Sequence, residues 1–298
     1  MDPPCLIVNA DDFGYFNCVS RGILASISSG IVTATGIMAN GPGLENSIHS
    51  IQMTDARVDL GVHLNLSLGS PVTPDMRHCL TEWGGEFPGK FTLAAALLTK
   101  KIRMEVVRLE WSAQIERCIE LGVKPLFLNS HEHVHMLPSL YSIVRELATT
   151  YRIPHVRHVR ADPVAVAFPH GVMRNLILSA MSVANAPRQD SPRLLGLGVS
   201  GKLTETYLRR RLRHLRTGQV YELMCHPGHY DPDEIKEQRL IAYHDWESEL
   251  RLLTSSSFHD MCADQGIRLI GYRDLPAREL PVMGSANSLD TASNDTPS

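Results

Sequence analysis

The stretch Leu6-Ile7-Val8-Asn9-Ala10-Asp11-Asp12-Phe13-Gly14 decides how the chain is to be read. A short apolar, β-rich run ends in a polar cluster with two adjacent carboxylates, the pattern of a buried strand whose C-terminal end carries chemistry. Helical spacing follows through Val19, Ile23 and Ile27 to Gly30. Working outward, strand-like runs recur over 31–38, closed by Asn40-Gly41-Pro42-Gly43, and then over 58–66, 126–128, 155–160, 221–225 and 267–272. Between them lie a weak helical stretch over 44–53, a helical stripe over 93–121 that is open to a break in its middle, a helix over 139–149 behind Pro138, and a basic helix over 204–215. The Arg209-Arg210-Arg211 run on the last reads as a solvated face. Residues 69–92, rich in Gly and Pro, read as a long loop of the kind that carries function.

Strands alternating with helices argue for a parallel sheet with right-handed crossovers. Six or seven strand candidates fit an α/β fold whose sheet closes, or nearly closes, on itself as a TIM-like barrel. One domain over 1–279 is expected, followed by a polar tail over 280–298 too poor in apolar residues to pack.

Composition removes several classes of function. Lys and Arg total 29 against 32 Asp and Glu in 298 residues, a net charge of -3, so no summed positive field draws nucleic acid or anionic lipid. No apolar run approaches the roughly 20 residues that span a bilayer, and no secretory leader is visible. Six scattered cysteines without a C-x-x-C read as reduced thiols, which places the chain in the cytoplasm.

Sites on parallel α/β folds form at the C-terminal ends of strands. Four such ends carry titratable residues here: Asp11-Asp12, His63, the His131-Glu132-His133-Val134-His135 run, and His226 with His229. A lone histidine is usually structural, but four converging strand ends are not easily so explained. Adjacent carboxylates on an extended strand point to opposite sides, leaving one for a metal and one to accept a proton. The three imidazoles of the 131–135 run repeat with period two and, on a strand, face the same way. Two imidazoles plus a carboxylate make a mononuclear hydrolytic metal site, with Zn²⁺ or Mg²⁺ as the ion.

Four ordered motifs then carry a resemblance: Leu6–Gly14 as quoted, Gly61-Val62-His63-Leu64, Asn129-Ser130-His131-Glu132-His133-Val134-His135, and Met224-Cys225-His226-Pro227. In order and spacing the sequence resembles the YdjC-like carbohydrate deacetylases, of the chitooligosaccharide deacetylase type, over about residues 5–275. The resemblance implies a distorted (β/α) barrel and metal-dependent removal of acetyl groups from N-acetylated sugars. It implies Asp12, His63 and His131 as metal ligands and Asp11 as catalytic base. His226, at the end of the 221–225 strand, is the candidate acid for the leaving amine. Asn129 departs from the family pattern, which has Asp before Ser-His; the change leaves the ligand set intact and removes a charge behind it.

Rival readings are another metal hydrolase on the same scaffold, an amidase or phosphoesterase, and an inactive sugar-binding protein. A phosphoesterase asks for a cationic clamp, for which Arg157 and Arg160 are the candidates. A binding protein predicts damage at Asp11, Asp12, His63 or His131, and all four are intact. Trp83 or Phe87 in the long loop is a candidate to stack on a sugar ring. Cys225 precedes His226 but points to the opposite strand face, as a core residue. The expected partner is an N-acetylated sugar, and pairing into a homodimer is left open.

Overall fold

The computed structural model describes residues 2–160, 169–185 and 191–276, with the backbone alone described for 169–175; the expected tail over 280–298 lies outside the described residues. In chain order the elements are β1 (Cys5–Phe13), α1 (Asn17–Ser28), β2 (Ala34–Ile37), α2 (Leu44–Gln52), β3 (Asp59–Leu64), α3 (Pro74–Cys79), α4 (Lys90–Leu98), α5 (Met104–Glu120), β4 (Phe127–Ser130), α6 (Pro138–Thr150) and β5 (His155–Val156). They continue as α7 (Pro169–Ala184), β6 (Arg193–Leu195), α8 (Glu205–Leu212), β7 (Val220–Cys225), α9 (Gln238–Tyr243), α10 (Trp246–Leu253), α11 (Ser256–Asp264) and β8 (Arg268–Leu269).

The strands form one parallel sheet in the order β5-β4-β3-β2-β1-β7-β6. The long strand β1 is its spine. On one side it pairs with β7 from Cys5↔Val220 to Ala10↔Cys225; on the other it pairs first with β8, at Cys5↔Arg268, and then with β2, from Asn9↔Ala34. The α/β barrel architecture expected from the strand pattern is therefore present, as a curled, incompletely closed barrel.

Alternation along each strand divides inside from outside. Leu6, Val8 and Ala10 of β1 face the helices with Val62 and Leu64 of β3 and Leu128 of β4. Cys5, Ile7, Ala34 and Phe127 turn inward and pack with Ile270 and Tyr272, whose ring stacks on Phe127 at 4.1 Å between centroids. This apolar plug fills the N-terminal end of the barrel. Above it, toward the strand C-termini, the inward positions are polar: Asn9, Asp11, His63, Asn129 and Glu222, all buried. Gly61, one inward position below His63, is dictated by the plug, since a Cβ there would stand 2.5 Å from the Phe127 ring.

The expected 93–121 helix is two helices, α4 and α5, and the expected loop over 69–92 contains the short α3, started by Pro74 behind a Thr73 cap. Among the described residues no helix is long and apolar enough to cross a membrane. Gly61→Ala is expected to lower stability by about 1–3 kcal/mol through overpacking against Phe127, read as a lower urea midpoint at unchanged m.

Candidate metal centre

The carboxylates that end β1 do not diverge as an extended strand would have them. Asp12 adopts a left-handed φ of 71°. The turn sets the two side chains at opposite nitrogens of one imidazole: Asp12 Oδ1 lies 3.2 Å from His63 Nε2, and Asp11 Oδ1 lies 3.8 Å from His63 Nδ1. His131 brings its Nδ1 to 3.0 Å from the same Asp12 oxygen. One donor atom each from Asp12, His63 and His131 lies within 4.8 Å of the others, the single such group among the described residues.

Asn129 fixes the tautomer. Its amide nitrogen donates to Asp11 Oδ1 at 3.1 Å, so its oxygen is left to accept from His63 Nδ1 at 2.8 Å. The Nε2 lone pair of His63 then faces Asp12. Gly36 on β2 makes the room, since a Cβ there would press on Asn129 Oδ1 and His63 Cβ, each at 3.2 Å. One carboxylate oxygen and two correctly presented imidazole nitrogens fit a divalent cation of the Zn²⁺ or Mg²⁺ kind.

Asp11 has a different environment. Its Oδ1 accepts from Asn9 Nδ2 at 2.7 Å, Asn129 Nδ2 and Arg157 Nη2 at 3.0 Å, and its Oδ2 accepts from Arg157 Nη1 at 2.7 Å. Arg157 also donates from Nε to Glu222 Oε1 at 2.8 Å. Burial alone would raise the Asp11 pKa; the Arg157 guanidinium, helped by His63 and His226, overrides it and holds the group well below the usual carboxylate range. For Asp12 burial is likewise outweighed, by His131 and His63, and its pKa also falls. Asp12 in turn raises His131 against the effect of burial.

A sequence profile described as YdjC-like protein matches residues 5–264. The chain belongs to the YdjC-like family. Among its relatives, a carbohydrate deacetylase of Geobacillus stearothermophilus is 32% identical over 279 residues, covering 91% of this chain and 98% of the other. A carbohydrate deacetylase of Mus musculus is 29% identical over 297 residues, covering 92% and 95%. A solved structure from Enterococcus faecalis, described in terms of cellobiose-phosphate cleavage, superposes with a TM-score of 0.68 at 24% identity over 92% of this chain and 98% of that one, which establishes the shared fold.

In this YdjC-like chain the third motif differs from its expected form. His131, His133 and His135 do not share a strand face, because residues His131–Met136 form a 3₁₀ turn with left-handed backbone at Glu132 (φ 53°) and His133 (φ 58°). His131 alone turns to the Asp12 cluster. His135 is buried behind it, its Nε2–H donating to the Arg157 carbonyl at 2.9 Å and its Nδ1 2.6 Å from Ser130 Oγ. Burial drives its pKa down to about 3.

His226 is 7% exposed and close enough to Asp11 to influence it. Its backbone N–H donates to Glu249 at 2.6 Å, its ring lies 4.9 Å from that of His244, and its Nδ1 has no hydrogen-bond partner among the described residues. His229 is exposed. Cys225 is core, its thiol donating to the Asn9 carbonyl. Three participants escaped sequence reasoning. Arg157 is no free clamp but the buried partner of Asp11, Glu222 is its second anion, and His244 stacks between His226 and Trp246. A signal existed for the first two: a Glu inside the apolar run Val-Tyr-Glu-Leu-Met-Cys needs a buried cation, and Arg157 ends a neighbouring buried run.

A cavity of about 580 Å³ is lined by Tyr15, Asn40, Leu68, Ser70, Phe87 and Arg239 among others, and by none of the three candidate ligands. Tyr15 and Leu68 also border a small apolar recess that reaches Asp12 and His131 and is walled by Phe16, Val19, Met38 and Trp246. Phe87 faces the cavity, whereas Trp83 packs outside it near Lys101.

Asn129→Ala removes the bridge between His63 and Asp11, and is expected to weaken Zn²⁺ or Mg²⁺ binding roughly 10- to 100-fold in calorimetric titration; unchanged affinity would show the bridge to be idle. A pH dependence follows from His135. Its pKa, lowered to about 3, means its stabilising contribution is complete above the ordinary value of 6.5 and is lost as pH falls from there toward 3. The urea midpoint should fall over that range, and more shallowly in His135→Gln; Asp11 and Asp12 act only below their ordinary value of 3.8.

Proposed function

We propose that this YdjC-like protein is a metal-dependent carbohydrate N-deacetylase that hydrolyses the acetamido group of an N-acetylated amino sugar, with chito-oligosaccharides as the substrate class. The observation that carries the reading is the Asp12, His63 and His131 cluster, with Asp11 at the far nitrogen of His63. The neighbouring cavity of about 580 Å³, which shares Tyr15 and Leu68 with the recess at Asp12 and His131, has a volume that suits a saccharide ligand. The names of the Geobacillus and mouse relatives support the reaction class.

A divalent cation, Mg²⁺ or Zn²⁺, held by Asp12, His63 and His131 supplies Lewis acidity toward the acetyl carbonyl and toward water. The chain's own groups do the rest. Asp11 is ionised at any working pH because Arg157 keeps it so, and three of its four hydrogen bonds fall on Oδ1. Oδ2 retains acceptor capacity for the proton of an attacking water. His226, with its Nδ1 unpartnered, protonates the departing amine. The apolar recess beside Asp12 and His131 suits the methyl of an acetyl group, and its small size selects against longer acyl chains. Tyr15, on the border of recess and cavity, is a neutral phenol because burial and the nearby Glu237 and Glu86 raise its pKa, so it can donate to a sugar oxygen.

The phosphoesterase alternative is disfavoured in that one of its two clamp candidates, Arg157, is engaged by Asp11 and Glu222. Six free cysteines support the cytoplasmic setting.

The test is acetate release from N-acetylglucosamine oligomers by chelator-treated protein with Mg²⁺ or Zn²⁺ restored. Asp11→Asn is expected to lower kcat about 10²- to 10⁴-fold when measured on folded protein at saturating metal. Undiminished acetate release by this variant would remove Asp11 from the mechanism.

A further inference from the structure

Behind the cleft lies a buried polar array that the metal centre does not use. Helix α5 carries Glu110 and Gln114 one turn apart, both fully buried on the stripe that also holds Val107, Trp111 and Cys118. The Glu110 carboxylate accepts from the backbone N–H groups of Val72 and Thr73 at 2.8 Å each, from the Thr73 hydroxyl at 2.7 Å, and from Gln114 Nε2 at 2.9 Å. Gln114 grips both backbone groups of Asn65, at 2.8 Å each. The Asn65 side chain accepts from the Ser67 and Leu68 N–H groups and donates to Asn40 Oδ1, and Asn40 donates to the carbonyls of Leu68 and Ser70.

All of these bonds but the one between Gln114 and Glu110 converge on residues 65–73, which form neither helix nor strand after β3 ends. That segment is a cleft wall. Leu68, Gly69 and Ser70 line the cavity, and Leu68 also borders the recess beside Asp12. The opposite lip hangs from it, because the Phe87 N–H donates to the Gly69 carbonyl at 2.8 Å. Burying a carboxylate is costly, and the four hydrogen bonds that offset the cost here also fix the position of irregular backbone.

The geometry points to Glu110 as a specificity-determining positioning residue: by holding 65–73 in place it sets the width of the cleft, and with it the binding of saccharide units beyond the reacting one. The identity of the ligand rests on the deacetylase reading above; the role of the array in shaping the cleft does not. Glu110→Gln is a sharp probe, since either orientation of the new amide sets an NH₂ group against a backbone N–H of Val72 or Thr73 without changing side-chain volume.

The experiment compares the full chain, Glu110→Gln and Gln114→Met at saturating metal, with N-acetylglucosamine and its tetramer as probes. Loss of one or two such buried bonds should raise KM for the tetramer about tenfold, with kcat, monosaccharide turnover and metal affinity within about twofold, and with faster amide exchange at Val72 and Thr73. An equal fall in kcat on both probes, or an unchanged tetramer KM despite faster exchange, overturns the assignment. Should the unaltered chain release no acetate, tetramer affinity by calorimetry takes the place of KM. Binding that Glu110→Gln weakens about tenfold then upholds the wall and retires the deacetylase reading, while no binding of either saccharide overturns the wall as well. Gln114→Met, which leaves Glu110 in place, gives the same readout if Glu110→Gln does not fold.

Discussion

The structure depends on one buried cation. Arg157 has no exposed side-chain surface, and its guanidinium joins Asp11 of β1 to Glu222 of β7 just beyond the end of β5. Stripped of either anion it would be a charge without compensation inside a barrel, and loss of one partner of such a pair typically costs about 3–5 kcal/mol. The same contact determines the chemistry, because Arg157 orients both oxygens of Asp11, Asp11 orients Asn129, and Asn129 selects the tautomer of His63. An electrostatic requirement of folding and a geometric requirement of the site are met by one side chain.

The barrel interior is layered accordingly. At the N-terminal end of the strands the inward positions are aromatic and aliphatic and bind the sheet by burial. In the middle they are charged and amide-bearing and satisfy one another. At the C-terminal rim two histidines and a carboxylate bring donor atoms within 4.8 Å of one another. Strain is concentrated there too, with left-handed backbone at Asp12, Glu132 and His133. Such conformations persist only where surrounding bonds impose them, and they are what turn Asp12 and His131 toward His63.

Much of this was legible in the sequence and some was not, for physical reasons. The parallel barrel and the gathering of titratable residues at strand ends follow from apolar runs that end in polar clusters, while the choice of Asp12, His63 and His131 among them was implied by the family resemblance. The direction of Asp12 and the break in the His131–His135 run do not, since extended geometry was the natural reading and the positive φ at Asp12, Glu132 and His133 is uncommon for residues other than glycine. The pairing around Arg157 was only half legible: Glu222 inside its apolar run signals a buried cation, but Asp11 and Glu222 lie 146 and 65 residues from Arg157 and no local pattern names the partners. Helices α9 to α11, which supply His244, Trp246 and Glu249, lie in a stretch whose turn residues break up the helical period.

The account stands on the claim that Asp12, His63 and His131 hold a divalent ion. The most direct measurement is anomalous diffraction from crystals of the full chain grown with Zn²⁺. One strong peak is expected, bonded to a single nitrogen of each of His63 and His131, at about 2.0–2.1 Å, and to an oxygen of Asp12. A Zn²⁺ ion bound elsewhere, with these three side chains left in contact only with one another, would contradict it.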